Sequence, residues 1–165
     1  MILYSAPPSY YSMIGRLALN TAQVVFENHY MDIHLRKDQL APWYIALNPH
    51  MTVPTLVDGK IILIDSQDIL HLAASLAGNQ WLDIDVNLAP QIESIVKAHY
   101  AIPIERLTFC KAMLHLPVLK YIFPRVLGAI IKGLEARLAI AKDPAALQAK
   151  IDLNQSRVAL SLIHI

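Results

Sequence analysis

Three places in this sequence put polar side chains where the backbone itself helps them handle a negative charge. Ser9 and Ser12 follow Ile2-Leu3-Tyr4 and Pro7-Pro8 and precede an apolar helical stripe, so a hydroxyl sits where a strand hands over to a helix. The first N–H groups of a helix are unpaired and carry partial positive charge, which favours an anion at that point. Asp65-Ser66 repeats the arrangement ahead of Ile69, Leu72, Ala73 and Leu76. Either residue serves as a plain helix cap, and the same N–H groups with the Ser66 hydroxyl would equally hold a carboxylate. Val53-Pro54 is the third place: proline has no N–H to donate, and X-Pro is the bond type for which the cis form is accessible.

Absences narrow the chemistry further. Cys110 is the single cysteine, which excludes dithiol exchange, an internal disulfide and a cysteine-built zinc site. It lies in an apolar stretch and reads as packing. The histidines at 29, 34, 50, 71, 99, 115 and 164 show no His-x-x-x-His spacing, so no metal is expected.

The elements that must position these residues divide the chain in two. Ile2-Leu3-Tyr4 reads as a strand, and Ile14, Leu17, Ala18, Thr21, Val24 and Val25 as one helix face. Met31, Ile33 and Leu35 alternate with polar residues and predict a half-buried strand. After the Pro/Trp segment Gln39–Asn48 comes a hairpin, Thr55–Val57 and Ile61–Ile64, turned at Asp58-Gly59. A helix from Asp65-Ser66 ends at Gly78. The order is β-α-β-(loop or helix)-β-β-α. Beyond a linker around 79–87 the chain reads as helical: about 88 to 113 with a bend at Pro103, a second helix from near Pro124, and a third from Asp143-Pro144, where Asp caps and Pro takes the first turn.

The string Leu47-Asn48-Pro49-His50-Met51-Thr52-Val53-Pro54-Thr55-Leu56-Val57-Asp58-Gly59, then Asp65-Ser66-Gln67-Asp68-Ile69, resembles the thioredoxin-fold half of glutathione transferases. The opening Leu3-Tyr4-Ser5, Ser9-Tyr10-Tyr11-Ser12 and Arg16-Leu17-Ala18-Leu19 is similar to the zeta and tau classes, and equally to stringent starvation protein A, a relative that binds RNA polymerase. The resemblance implies an α/β plus all-α fold: a thioredoxin-like β-α-β-α-β-β-α glutathione-binding domain over residues 1–80, then a short α-helical domain over 88–165. It implies that Val53-Pro54 is cis and pairs with the tripeptide main chain, and that Asp65 and Ser66 hold its γ-glutamyl end. His50, or Lys37, would meet the glycyl carboxylate. Ser9 takes the place of the catalytic serine, donating to the glutathione sulfur and stabilising the thiolate that attacks an electrophile; its other reading is helix capping alone. Ser12 is the second candidate hydroxyl. Tyr100 and Arg106 are candidates for the electrophile side. Gly15 stands where the family usually has a branched apolar residue.

Composition sets the remaining bounds. The chain has 165 residues, 16% charged, with formal net charge +1 and mean hydropathy +0.40. That balance offers no basic face for nucleic acid, and no apolar run reads as a membrane span. A soluble cytoplasmic homodimer is expected, with glutathione as co-substrate and a small electrophile as partner; the alternative is a non-catalytic interaction protein of the same fold, as in stringent starvation protein A. The chain ends without the Ser/Thr-x-x-Asp helix of a full transferase, so its helical part reads as truncated, with apolar stripes near Val118–Leu134 and Val158–Ile165 left for a partner or further sequence.

Overall fold

The first residues form a strand because a second one runs alongside it. In the computed structural model, which describes residues 1–78, 87–104, 107, 111, 115–116, 118–141 and 143–163, β1 (Ile2–Ser5) pairs in parallel with β2 (Glu27–Tyr30). β1 also pairs antiparallel with β3 (Thr55–Asp58), which pairs antiparallel with β4 (Ile61–Leu63), giving the order β2-β1-β3-β4. The helices of this part are α1 (Tyr10–Thr21), α2 (Pro42–Leu47), α3 (Ser66–Leu76) and α4 (Ala89–Tyr100). Through α3 the order is β-α-β-α-β-β-α, as the resemblance implies. The chain divides into two units, Met1–His99 and Tyr100–Ile165.

Leu3, Leu56 and Leu63 lie in register across β1, β3 and β4. With Ala18 and Leu19 of α1 and Ile69 and Ala73 of α3, Leu3 and Leu56 make the core on one sheet face. The other face carries Tyr4, whose ring meets those of His29, Trp43 and Tyr44 at centroid distances of 5.0, 5.7 and 5.9 Å. Alternation in β1 therefore sorts apolar packing from an aromatic layer.

The strand expected at Met31, Ile33 and Leu35 is instead Glu27–Tyr30. Pairing stops where β1 stops, and Asp32 then turns the chain by accepting from the His34 and Leu35 N–H groups at 3.0 and 2.8 Å. Those N–H groups, Leu35 foremost, and the Arg36 guanidinium hold the Asp32 carboxyl below its usual pKa. The buried face of α1 is Ser12, Gly15, Ala18 and Leu19: of the expected stripe Ala18 is buried and Val24 packs on the core, whereas Leu17 and Val25 are 66% and 94% exposed. At Gly15 the helix approaches a proline. A Cβ on Gly15 would lie 3.5 Å from Pro54 Cγ and 3.7 Å from Ile69 Cγ2, so α1, the Val53-Pro54 segment and α3 converge on a residue without a side chain. The hairpin forms, but its turn residues are Gly59, at φ +57, and Lys60 rather than Asp58-Gly59, because Asp58 still pairs with Ile61.

The segment between α2 and β3 is held by a closed ring of hydrogen bonds. Tyr44, fully buried, donates its hydroxyl to the Thr52 carbonyl at 2.6 Å and lies 2.8 Å from Thr55 Oγ1. Asn48, also fully buried, donates through Nδ2 to Thr55 Oγ1 at 2.9 Å and to the Thr52 carbonyl at 3.0 Å. Its Oδ1 accepts from the His50 N–H at 2.9 Å. Since the Tyr44 proton goes to Thr52, the Thr55 hydroxyl completes the ring by donating to Tyr44. Each buried polar atom gains a partner, which is what makes such burial tolerable. The same burial pushes the Tyr44 phenol up to about 12.

In the second unit, α5 (Leu119–Leu138) and α6 (Pro144–Ile163) bury Leu127 and Leu134 against a face bearing Leu147, Ile151 and Asn154. Asp143 caps α6, accepting from the Ala146 N–H at 2.9 Å. α4 ends at Tyr100, before Pro103, and α5 starts at Leu119 with Pro124 inside its second turn rather than at its start. Burial lowers the Lys150 ammonium to about 8. Val118, Tyr121, Ile122 and Val126 are exposed. No helix among the described residues is long and apolar enough to cross a membrane.

Gly15→Ala places its methyl at ordinary contact distance and gains helix propensity, so the urea midpoint rises by the equivalent of about 0.5–1 kcal/mol. Gly15→Leu instead overfills the junction and loses about 1–3 kcal/mol. For Tyr44, both folded and unfolded chains keep the phenol proton below pH 10, whereas between 10 and about 12 only the folded chain does. Stability therefore falls as pH rises through that window, by about 2–3 kcal/mol from this group. Denaturant titrations across the window should show a shallower fall in Tyr44→Phe than in the parent chain.

Candidate functional site

Strand directions bring the sequence-predicted residues to one end of the sheet. Tyr4 of β1 pairs with Thr55 of β3, so the chain leaving β1 toward Ser9 lies beside the chain entering β3 from Val53-Pro54. Leu63 pairs with Leu56, so β4 also ends there, and Asp65-Ser66 follows two residues later. β2 ends level with β1, Ser5 opposite Tyr30, which sends the Met31–Lys37 loop out at the same end. Ser9, His50, Val53, Pro54, Asp65 and Ser66 thus arise from adjoining loops of one sheet end.

The loop from β1 to α1 is built around Ser9 and Arg16. Ser9 is the N-cap of α1: its Oγ accepts from the Ser12 N–H at 3.2 Å. That bond uses a lone pair and fixes the oxygen at the helix start, while the Ser9 hydroxyl proton has no acceptor among the described residues. Capping and the expected chemistry are compatible on one residue, since one needs an acceptor and the other a donor. Ser12 is different. It is fully buried and its Oγ accepts from the Ala6 N–H at 3.2 Å, so it shapes the loop from inside. Arg16, one turn further along α1, donates through Nη1 to Ser5 Oγ at 3.1 Å and the Ala6 carbonyl at 3.2 Å. The guanidinium ties the loop to the helix it leads into.

The Val53–Pro54 peptide is cis. Pro54 is buried under Gly15, and Val53 is half-buried. The hydrogen-bonded ring fixes Thr52 on one side and Thr55 on the other. Between them the Val53 N–H and C=O form no hydrogen bond with any described residue. A main-chain donor and acceptor are thus left beside the strand end, the arrangement to which an extended peptide adds.

At the head of α3, Asp65 is exposed and its Oδ1 accepts from the Gln67 N–H at 2.7 Å, while Ser66 is buried. Asp65 is therefore the cap. The His50 side chain is exposed. In the loop after β2, Lys37 has φ +57, and its Nζ and the Nε2 of Gln39 both donate to the Ile33 carbonyl, at 3.4 and 3.2 Å. Two donors from different residues converge on one acceptor there. The Gln39 Oε1 is buried without a partner.

Sequence reasoning missed Arg16, Tyr44 and Asn48 as organisers, although Arg16 and Asn48 sit within the motif strings. A buried asparagine two residues before His50 and an arginine mid-helix are visible only as residue types until the loops are folded. Cys110 and Arg106 lie outside the described residues, and Tyr100 falls in the second unit. Among the described residues no group of three or more His, Cys, Asp or Glu is placed to hold a metal ion.

Residues 3–81 match the glutathione S-transferase N-terminal domain family. The chain is 37% identical over 71 residues to a stringent starvation protein A homolog of Coxiella burnetii, 43% of this chain and 32% of that protein. It is 29% identical over 139 residues to glutathione S-transferase 2 of Anopheles gambiae, 81% of this chain and 63% of that one. The chain thus spans less than two thirds of either relative. A holo structure of maleyl pyruvate isomerase, a bacterial zeta-class glutathione S-transferase, shares the fold: TM-score 0.58 and 23% identity over 87% of this chain and 71% of that one. With a thioredoxin-like N-terminal domain followed by a helical part, the chain is a glutathione S-transferase-like protein.

Proposed function

We propose that residues 1–80 form a glutathione-binding domain, followed by a helical domain over 88–165, and that Ser9 activates the glutathione thiol for attack on a small electrophile. The observation that carries this reading is the unpaired Val53 N–H and C=O beside the cis Pro54. It supplies the main-chain pairing a cysteinyl residue needs, at the sheet end that also bears Ser9. The pairing fixes the tripeptide in extended form. The Asp65 carboxylate then suits the γ-glutamyl ammonium, and the Ser66 end of α3 suits its carboxylate. His50, with Lys37 and Gln39, suits the glycyl carboxylate. The Ser9 hydroxyl, anchored by the Ser12 N–H, donates to sulfur where the N-terminal field of α1 also favours thiolate. By family likeness the protein acts as a cytoplasmic homodimer.

A second reading has its own support. The higher of the two identities is to a stringent starvation protein A homolog, so a non-catalytic interaction protein on the same fold is the alternative.

Calorimetry with glutathione separates the two. Heat of binding at millimolar ligand or below is expected, and its absence on folded protein would remove the enzyme reading and favour the interaction protein. Ser9→Ala should bind glutathione comparably yet lose at least about tenfold in conjugation rate, equivalent to about 1.4 kcal/mol of transition-state stabilisation. Asp65→Asn keeps a capping oxygen, so its thermal midpoint should stay near the parent value. Its affinity for glutathione should fall while affinity for des-amino glutathione stays level, if the carboxylate meets the ammonium.

A further inference from the structure

β2 (Glu27–Tyr30) stands at the end of the sheet order, so one of its sides has no neighbouring strand. The Glu27 N–H donates to the Met1 carbonyl at 3.0 Å, and the Met31 N–H to the Ser5 carbonyl at 2.8 Å. In a parallel ladder alternate residues bond the same neighbour, so Asn28 and Tyr30 aim their N–H and C=O groups outward. Edge strands are usually blunted by lysine, proline or a bulge, and β2 pairs with β1 in unbroken register and contains neither residue. Tyr30 is 60% exposed, and Glu27 and His29 are exposed with it. Two residues apart on a strand, Glu27 and His29 share one sheet face. The His29 ring is held there by those of Tyr4 and Trp43, at centroid distances of 5.0 and 6.3 Å. Among the described residues the Glu27 carboxylate forms no ion pair and the His29 imidazole no hydrogen bond.

We propose that the β2 edge is an interaction surface for a second copy of this chain, the two edges adding antiparallel about a twofold axis at Asn28. With Asn28 opposite Asn28 of the second copy, the outward main-chain groups of these two residues bond each other. The Tyr30 groups then meet those of Phe26, the residue just before β2, on both sides of the axis. Glu27 comes to lie directly opposite His29 of the second copy, at the position where side chains of an antiparallel pair approach most closely. Symmetry repeats the pair. An imidazole N–H donates to a carboxylate whether the ring is neutral or protonated. Moving the axis one residue back sets Glu27 against Glu27, two like charges. Moving it one residue forward sets His29 against His29 and leaves both carboxylates without a partner. The charges therefore select one register. A second copy is the occupant because both halves of the complementarity, carboxylate and imidazole, stand on this one strand. Neither residue belongs to the proposed glutathione site.

Sedimentation velocity of the full chain over a micromolar to millimolar series tests this, with amide hydrogen exchange on the same samples. The mass should double reversibly as concentration rises, and the Asn28 and Tyr30 amides should exchange more slowly as it does. Glu27→Lys turns a cation toward His29 of the second copy, and His29→Glu sets two carboxylates against each other. Each should weaken the association about tenfold. Glu27→His combined with His29→Glu restores the pair in reverse and should recover it. Tyr30→Pro removes an outward N–H, so its thermal midpoint should stay near the parent value while association weakens. Should Tyr30→Pro melt early, the charge series alone decides. A mass that stays constant across the series in the parent chain and in Glu27→Lys alike overturns the proposal. So does an association that the single charge variants leave unchanged or the double variant fails to recover, since the copies then meet through another face.

Discussion

Everything at the candidate site depends on the ring of hydrogen bonds that joins Tyr44, Asn48, Thr52 and Thr55. Three of these polar residues, Tyr44, Asn48 and Thr55, are fully buried where an apolar core would have been simpler. Their burial is tolerable because each donor finds an acceptor, and the closed ring leaves little freedom to the residues within it. Val53-Pro54 lies inside that ring. Its backbone is held on both sides, and the Val53 N–H and C=O are left open. A loop without the ring would settle its own hydrogen bonds internally, as loops usually do. The polar burial therefore trades apolar packing for a defined, unpaired stretch of main chain.

The second constraint is steric. α1 carries Ser9 and α3 carries Asp65-Ser66, and both helices meet the Pro54 segment at Gly15, where Pro54 Cγ would sit 3.5 Å from a Cβ. A large residue at 15 would move the helix that aims Ser9. Position 15 is glycine for this reason, while Leu19 on the same helix fills the core. Stability and geometry act through the same contacts, so core substitutions here are felt at the site. Arg16 then fixes the loop on the other flank of Ser9 through Ser5 and Ala6.

Much of this was legible in the residues, and the failures have physical causes. The hairpin turned at Gly59 and the helix capped by Asp65 were readable because turn and cap chemistry is local. Ser9 as an N-cap was readable for the same reason. The α1 stripe was right at Ala18 and wrong at Leu17, because hydrophobic periodicity marks large apolar residues as buried, whereas the helix is turned so that Gly15 meets Pro54 and Leu19 fills the core. Met31–Leu35 alternates like a strand, yet strand length is set by the partner, and β1 ends at Ser5. The hydrogen-bonded ring was out of reach: Tyr44, Asn48 and Thr55 are 4 to 11 positions apart, and only tertiary packing brings their polar atoms together. Tyr10 and His99, at a separation of 89, are a stronger case of the same limit.

The central claim is that the ring presents the Val53 main chain for pairing with an extended thiol tripeptide. It is tested most directly by following backbone amide signals of labelled protein during a glutathione titration by NMR. The account predicts saturable shifts at Val53, at Ser9 and Tyr10, and at Ser66 and Gln67, with the Asn48 and Thr55 amides little changed because the ring is preformed. Shifts confined to other regions, or none at saturating ligand, would contradict it.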